Sequence, residues 1–424
     1  MRPAHLLLAL FLFTVTLPAP AQTFTPRKIT FVGAPEFKRE DLLAVAALKP
    51  NTPISQADVN SAAERLNATS LFTDIRFALD FNGLTYTLTP STNVLTARFG
   101  NFPWWTPAEL DAELRHRVPL FTGRVPIDGT LLANVTAALT ALVATKGVTA
   151  TISSVPSAPS ESAAPDAIMF NITSPPVLVH GLNIEGASPA MQPNLVRVEL
   201  DAGNHAFDTR FTPESITANI TTAYRDNGYL DITVPTIRHA PAEVSTTGIA
   251  VDMIATVNEG ALYHLTSLDW EGSPLITAED FANLSKLKPG DVASQSALRQ
   301  SLGILNSRYF SKGFMDVKVQ ATAIINHATH TAAYTVHVTP GEQYRVASVI
   351  FIGLNSSQQA ELAPNWRLRK GDIYDPEYIA TFLKKNSSLR SLAGYSATFK
   401  TISDPNTHLA NVTVTFVRGG ELTN

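Results

Sequence analysis

Between Thr277 and Val338 the apolar positions change their period in a fixed order. From Ala278 to Leu287 the spacing predicts a short helix, with Thr277 as N-cap and Asp280 three residues on in a capping-box-like arrangement. Leu287-Lys-Pro-Gly290-Asp291 suits a helix end and loop. Leu298, Leu302 and Leu305 then share one face of a longer amphipathic helix from about Ser294 to Phe310, and Gly313 stops it. Two alternating segments follow, near Met315 to Ala321 and Ala332 to Val338, with the polar run Asn326 to Thr331 as the turn between them. A β-rich stretch such as Ala347 to Ile352, closed by a glycine that permits a tight exit, opens the next unit. The predicted order is β-α-α-β-β.

That order recurs. Setting Gly260-Ala-Leu-Tyr263 on Gly341-Glu-Gln-Tyr344 also brings Ser267 onto Ser348, Trp270 onto Phe351 and Gly272 onto Gly353. The bulky-x-Gly ending returns at Phe31-Val-Gly33 and Ile184-Glu-Gly186. Tyr224-Arg-Asp-Asn-Gly228-Tyr-Leu-Asp231 matches Tyr309-Phe-Ser-Lys-Gly313-Phe-Met-Asp316, with weaker copies at Gly394-Tyr-Ser-Ala397, Gly147-Val-Thr-Ala150 and Phe72-Thr-Asp74-Ile75. Leu287-x-x-Gly290-Asp291 has counterparts at Leu368-Arg-Lys-Gly371-Asp372, Leu200-Asp-Ala-Gly203 and Leu48-Lys-Pro-Asn51. Copies about 80 residues apart are tandem domains, not thin solenoid turns. The expected boundaries are 26–90, 91–175, 176–258, 259–340 and 341–418, with the second repeat divergent. Within it, Ser153 to Asp166 has the composition of a disordered tip and is assigned no structure.

Composition narrows the setting. Arg2, the apolar run Leu6 to Leu17, and small residues at Ala19 and Ala21 read as a secretory signal over residues 1–21, cleaved before Gln22. No later stretch approaches the ~20 apolar residues of a membrane helix. The chain has no cysteine, which removes disulfides, thiol catalysis and thiolate metal sites together and favours a bacterial periplasm. Sequons at Asn67, Asn134, Asn219 and Asn411 are what chance supplies in a threonine-rich chain. A net charge of -4 with scattered basic residues lacks the positive footprint that phosphate binding needs, so nucleic acid is not an expected partner.

The β-α-α-β-β order, with the Gly-x-x-Tyr entry, the Leu-x-x-Gly-Asp loop and the Tyr-x-x-x-Gly-Tyr/Phe-x-Asp lead into the second strand, resembles POTRA (polypeptide-transport-associated) domains of the BamA/TamA outer-membrane assembly family. The resemblance is strong from Val177 to Val417, fair from Lys28 to Pro90 and weakest from Ser91 to Pro175. It implies an α+β chain of about five repeats, each a three-stranded mixed sheet with two helices on one face, in an elongated array. It also implies a periplasmic, non-catalytic scaffold without cofactor or metal. Its expected partners are proteins: outer-membrane β-barrel proteins, or a separately encoded barrel, since only Arg418 to Asn424 follow Val417 and a barrel needs at least eight more strands of about ten residues. Any membrane association would be peripheral.

By the same resemblance the second strand of each unit is an open edge that a guest strand joins by β-augmentation. Here those positions are Leu230, Asp231, Ile232 and Val234; Met315, Asp316, Val317, Lys318 and Val319; and Tyr395 and Ala397. Gly228, Gly313, Gly394, Tyr263 and Tyr344 read as structural, the tyrosines packing on a neighbouring repeat or their own core. Trp104 and Trp105 precede a helix capped by Thr106 with Pro107 at its first position. Two adjacent tryptophans do not both face one core, so one is a candidate exposed anchor, against packing across a repeat boundary. Val118 to Gly123 reads as a hydrophobic staple rather than an exposed loop. His327-Ala-Thr-His330 lies in a predicted hairpin turn and reads as solvated histidines rather than metal ligands. No nucleophile–base pair, P-loop or dinucleotide fingerprint appears. A connector between folded complexes is the competing reading, and an envelope enzyme with a site near Trp104 a distant third.

Overall fold

A computed structural model describes residues 23–80, 83–240, 242–245, 248–271, 275–385, 392 and 394–418. The expected signal segment, Gly272 of the repeat alignment and residues 419–424 lie outside the described residues. The chain is α+β throughout. It opens with β1 (Thr23–Phe24), β2 (Ile29–Val32), α1 (Arg39–Ala46), β3 (Ile54–Ser55), α2 (Gln56–Asn67), β4 (Phe72–Asp80) and β5 (Gly83–Pro90). Strand β5 is central, parallel to β2 and antiparallel to β4. Its alternation buries Leu84, Tyr86 and Leu88 with Val59, Ala62 and Leu66 of α2. The Tyr86 hydroxyl donates to the Val59 carbonyl at 2.9 Å, and burial pushes its phenol up to about 12.

The next segment runs β6 (Val94–Phe99), α3 (Pro107–Arg117), β7 (Arg124–Pro126), α4 (Thr130–Ala144), β8 (Thr151–Ser157) and β9 (Ala167–Ser174), in the order β7-β6-β9-β8. Thr106 caps α3 in a full capping box with Glu109. Val118, Leu120 and Phe121 are buried. The unstructured reading of Ser153 to Asp166 needs correction at its start. Ser153 to Ser157 pair with β9, and the Asp166 amide donates back to Ser157 at 3.0 Å. A neighbouring strand supplies partners for backbone groups that local composition ignores, and Pro156 is tolerated because β8 is an edge. Only residues 158–166 remain outside regular structure.

The third segment contains β10 (Val177–Glu185), α5 (Gln192–Ala202), α6 (Phe211–Asp226), β11 (Thr233–His239), β12 (Glu243–Val244) and β13 (Ile249–Asn258), ordered β10-β13-β11 with β12 also on β13. The fourth comprises β14 (His264–Glu271), α7 (Ala278–Leu284), α8 (Gln295–Phe310), β15 (Lys318–Asn326) and β16 (Thr331–Thr339). The fifth comprises β17 (Arg345–Ile352), α9 (Ser356–Leu362), α10 (Pro376–Lys385), β18 (Tyr395–Asp404) and β19 (Leu409–Arg418). In both, the last strand is central, parallel to the first and antiparallel to the second. Thr277 and Asp280 form the capping box of α7, and Ser294 caps α8. Helix α7 ends at Leu284; Leu287, predicted as its last residue, is buried beside Tyr263, Leu265 and Leu298.

The chain divides into two compact units. One holds the described residues up to Asn183 with Glu199–Ser215 and Ile237–Ile254; the other holds Ile184–Val198, Ile216–Thr236 and the described residues from Ala255.

Candidate functional site: sheet edges and repeat joints

Strands β11, β15 and β18 each end the order of their sheet, as do β10, β14 and β17 on the opposite side. The sequence-predicted residues divide between strand and approach. Val234 lies in β11. Lys318 and Val319 open β15 opposite Thr339 and Val338, and Tyr395 and Ala397 in β18 face Arg418 and Phe416. Leu230, Asp231 and Ile232, like Met315, Asp316 and Val317, precede their strands. Assigning those six to an open edge is corrected by what they touch.

Leu230 packs against the buried cluster around Tyr263 and Leu265, and Met315 against the cluster around Tyr344 and Val346. Ile232 is buried and Val317 packs beside Leu305 and Val336. The Tyr263 hydroxyl donates to the Asp231 carboxylate, and the Tyr344 hydroxyl donates to Asp316 at 2.8 Å. The backbone repeats the same link: the Tyr263 amide donates to the Gly228 carbonyl at 3.0 Å and the Tyr344 amide to Gly313 at 2.8 Å. Gly228 and Gly313 sit at φ +86 and +85, and a Cβ on either would lie 2.3 Å from Val292 or 2.8 Å from Ile373. The Gly-Tyr/Phe-x-Asp and Gly-x-x-Tyr motifs are therefore two halves of one joint between successive repeats. The first joint adds a Ser294 hydroxyl bond to the Asp226 carbonyl at 2.7 Å and an Arg299–Asp226 ion pair at 2.7 Å.

Electrostatics follow from this packing. The Tyr263 hydroxyl bond holds Asp231 below the ordinary carboxylate range against partial desolvation, with His327 adding to the effect. Burial pushes the Tyr263 phenol up to about 12, and burial with Asp316 raises Tyr344. His327 and His330 are exposed and also touch the joint: His327 Nδ1 lies 2.9 Å from the Tyr263 hydroxyl and 3.2 Å from Asp231 Oδ2, while the His330 ring packs edge-on against Tyr263. Among the described residues no group of three or more His, Asp or Glu side chains is placed to hold a metal ion.

The edges also carry exposed apolar side chains. Ile324 on β15 is 72% exposed and Ile402 on β18 62%. Trp104 and Trp105 are half-buried, with rings 5.8 Å apart at 70° and the Lys146 ammonium 5.0 Å from the Trp105 ring centre. They line a cleft of about 270 Å³ with Phe207, Pro213, Ile237 and Met253.

Mixed sheets whose last strand is central, two helices per repeat and a replicated joint define a tandem array of POTRA-type domains, and residues 263–341 match the POTRA family model, described as a surface antigen variable number repeat. The relatives are outer-membrane assembly proteins by name. The chain is 22% identical over 177 residues to the outer membrane protein assembly factor BamA of Neisseria meningitidis serogroup B (strain ATCC BAA-335 / MC58). It is 21% identical over 178 residues to a Treponema pallidum (strain Nichols) protein named as a candidate outer membrane protein assembly factor. Each match takes in 42% of this chain and 21% of the relative. A crystal structure of Haemophilus influenzae BamA POTRA3-5 aligns over 56% of this chain and 95% of that one, with 17% identity and a TM-score of 0.41. No helix among the described residues is long and apolar enough to cross a membrane, and the described strands form sheets of two to four strands.

Proposed function

We propose that this protein is a periplasmic binding scaffold for outer-membrane protein assembly or secretion, taking extended client segments as added strands on β11, β15 and β18. The supporting observation is the POTRA match over residues 263–341 in a domain whose second strand ends its sheet. An edge strand presents backbone donors and acceptors that bind any extended chain, with side-chain reading limited to alternate positions. That suits clients destined to become β-barrels. Each backbone bond contributes only about 0.5–1.5 kcal/mol net, so contacts to one edge are weak and reversible, and several edges engaging one client raise its effective concentration. Exposed Ile324 and Ile402 offer apolar contact to a guest strand. Val234, Lys318, Val319, Tyr395 and Ala397 are the strand positions we assign to client contact. The cleft beside Trp104 and Trp105 is an accessory anchor for an apolar side chain.

Photo-crosslinking from position 318 in the native envelope, with captured chains identified by mass spectrometry, tests this reading. Many different barrel proteins are expected. One constant folded partner would replace the client-binding role with that of a connector, and no protein adduct would overturn the edge mechanism.

A further inference from the structure

The two joints described above share the tyrosine–aspartate bond and the tyrosine–glycine backbone bond, and they differ in the hairpin that packs on the tyrosine. His330 and His408 occupy the same place: each backbone carbonyl accepts from the residue after the joint tyrosine, His264 or Arg345, and each imidazole packs against that tyrosine, at 5.6 and 5.3 Å. Three residues earlier the first hairpin has His327 and the second has Pro405. His327 closes a three-way contact with the Asp231 carboxylate, 3.1 Å away, and the Tyr263 hydroxyl. No imidazole can fill that place at the second joint.

We propose that the Asp231–Tyr263 joint is a pH-responsive clasp, tightened by protonation of His327, whereas the Asp316–Tyr344 joint lacks this response. Histidine is the side chain whose ordinary titration spans pH 5 to 8. Protonated, His327 sets a cation against the Asp231 anion; neutral, it offers a hydrogen bond alone. The groups facing it are Asp231 from the turn after α6, Tyr263 at the head of β14, and His330 on its own hairpin. Asp226 and Arg299 are paired with each other. Asp231 is held ionised by the tyrosine hydroxyl, so the imidazole is the group that changes charge. The added attraction is therefore present toward pH 5, where imidazoles carry the extra proton, and is lost toward pH 8. His327 is 69% exposed, which keeps the effect to about a two- to five-fold change in joint opening.

Hydrogen exchange on the full chain at about pH 5.5 and about pH 8, expressed as protection factors so that intrinsic pH effects cancel, reads the joints through the Tyr263 and Tyr344 amides. Protection at Tyr263 is expected to be about two- to five-fold higher at the lower pH. Tyr344 is expected to show no such change, and the Tyr263 response is expected to vanish in His327→Gln. An equal response at both amides, a response that survives His327→Gln, or no response at Tyr263 would overturn the proposal.

Discussion

Tyr344 and Asp316 stand 28 residues apart in the chain and meet through a 2.8 Å hydrogen bond. Tyr344→Phe removes the donor while keeping the buried ring, so it is expected to destabilise by about 1 kcal/mol, read as a lower denaturant midpoint at unchanged slope. A double-mutant cycle with Asp316→Asn should return a coupling of at least about 0.5 kcal/mol; additive effects would mean that the bond links nothing. Gly313 and Gly371 share a left-handed backbone, at φ +85 and +90, but only Gly313 faces neighbours within 4 Å. Gly313→Ala should therefore exceed Gly371→Ala by about 1–3 kcal/mol in unfolding free energy. For Asp231, a folded value below the ordinary carboxylate range means a contribution that is complete above that range and is lost as pH falls through the lowered value. The stability difference between the native chain and Asp231→Asn should accordingly shrink in acid, below about pH 4. Recurrence made these residues visible in the sequence, but not their pairing, because each contact crosses from one repeat to the next. The contact of exposed His327 with Asp231 was invisible for the same reason: the two lie 96 residues apart.

Local signals carried the elements well. The capping box at Thr277 and the N-cap at Thr106 were legible because each needs only three or four consecutive residues, and the start of α8 fell within a residue of the expected Ser294. Strand starts were not. Strands β11 and β15 begin at Thr233 and Lys318 because the preceding Leu230-Asp231 and Met315-Asp316 are drawn into the joints. Strand β8 was missed because its order comes from the β9 ladder and not from its Ser/Pro-rich composition. At the edges, Ile324→Lys and Ile402→Lys together should leave thermal unfolding nearly unchanged, within about 0.5 kcal/mol each, since both side chains are exposed. The same pair should lower the yield of client crosslinks from position 318, because a guest strand loses its apolar neighbours. Unchanged yield would separate client binding from these side chains.

At the scale of the whole molecule the proposed function rests on several weak, similar edges, with affinity coming from more than one of them acting on one client. Its most direct test is hydrogen exchange of the full chain with and without an unfolded outer-membrane barrel protein. The account predicts added protection along Lys318–Asn326 and Tyr395–Asp404, with the central strands β16 and β19 unchanged because their backbone groups are already paired on both sides. Protection confined to the Trp104–Trp105 cleft, or none at all, would contradict it.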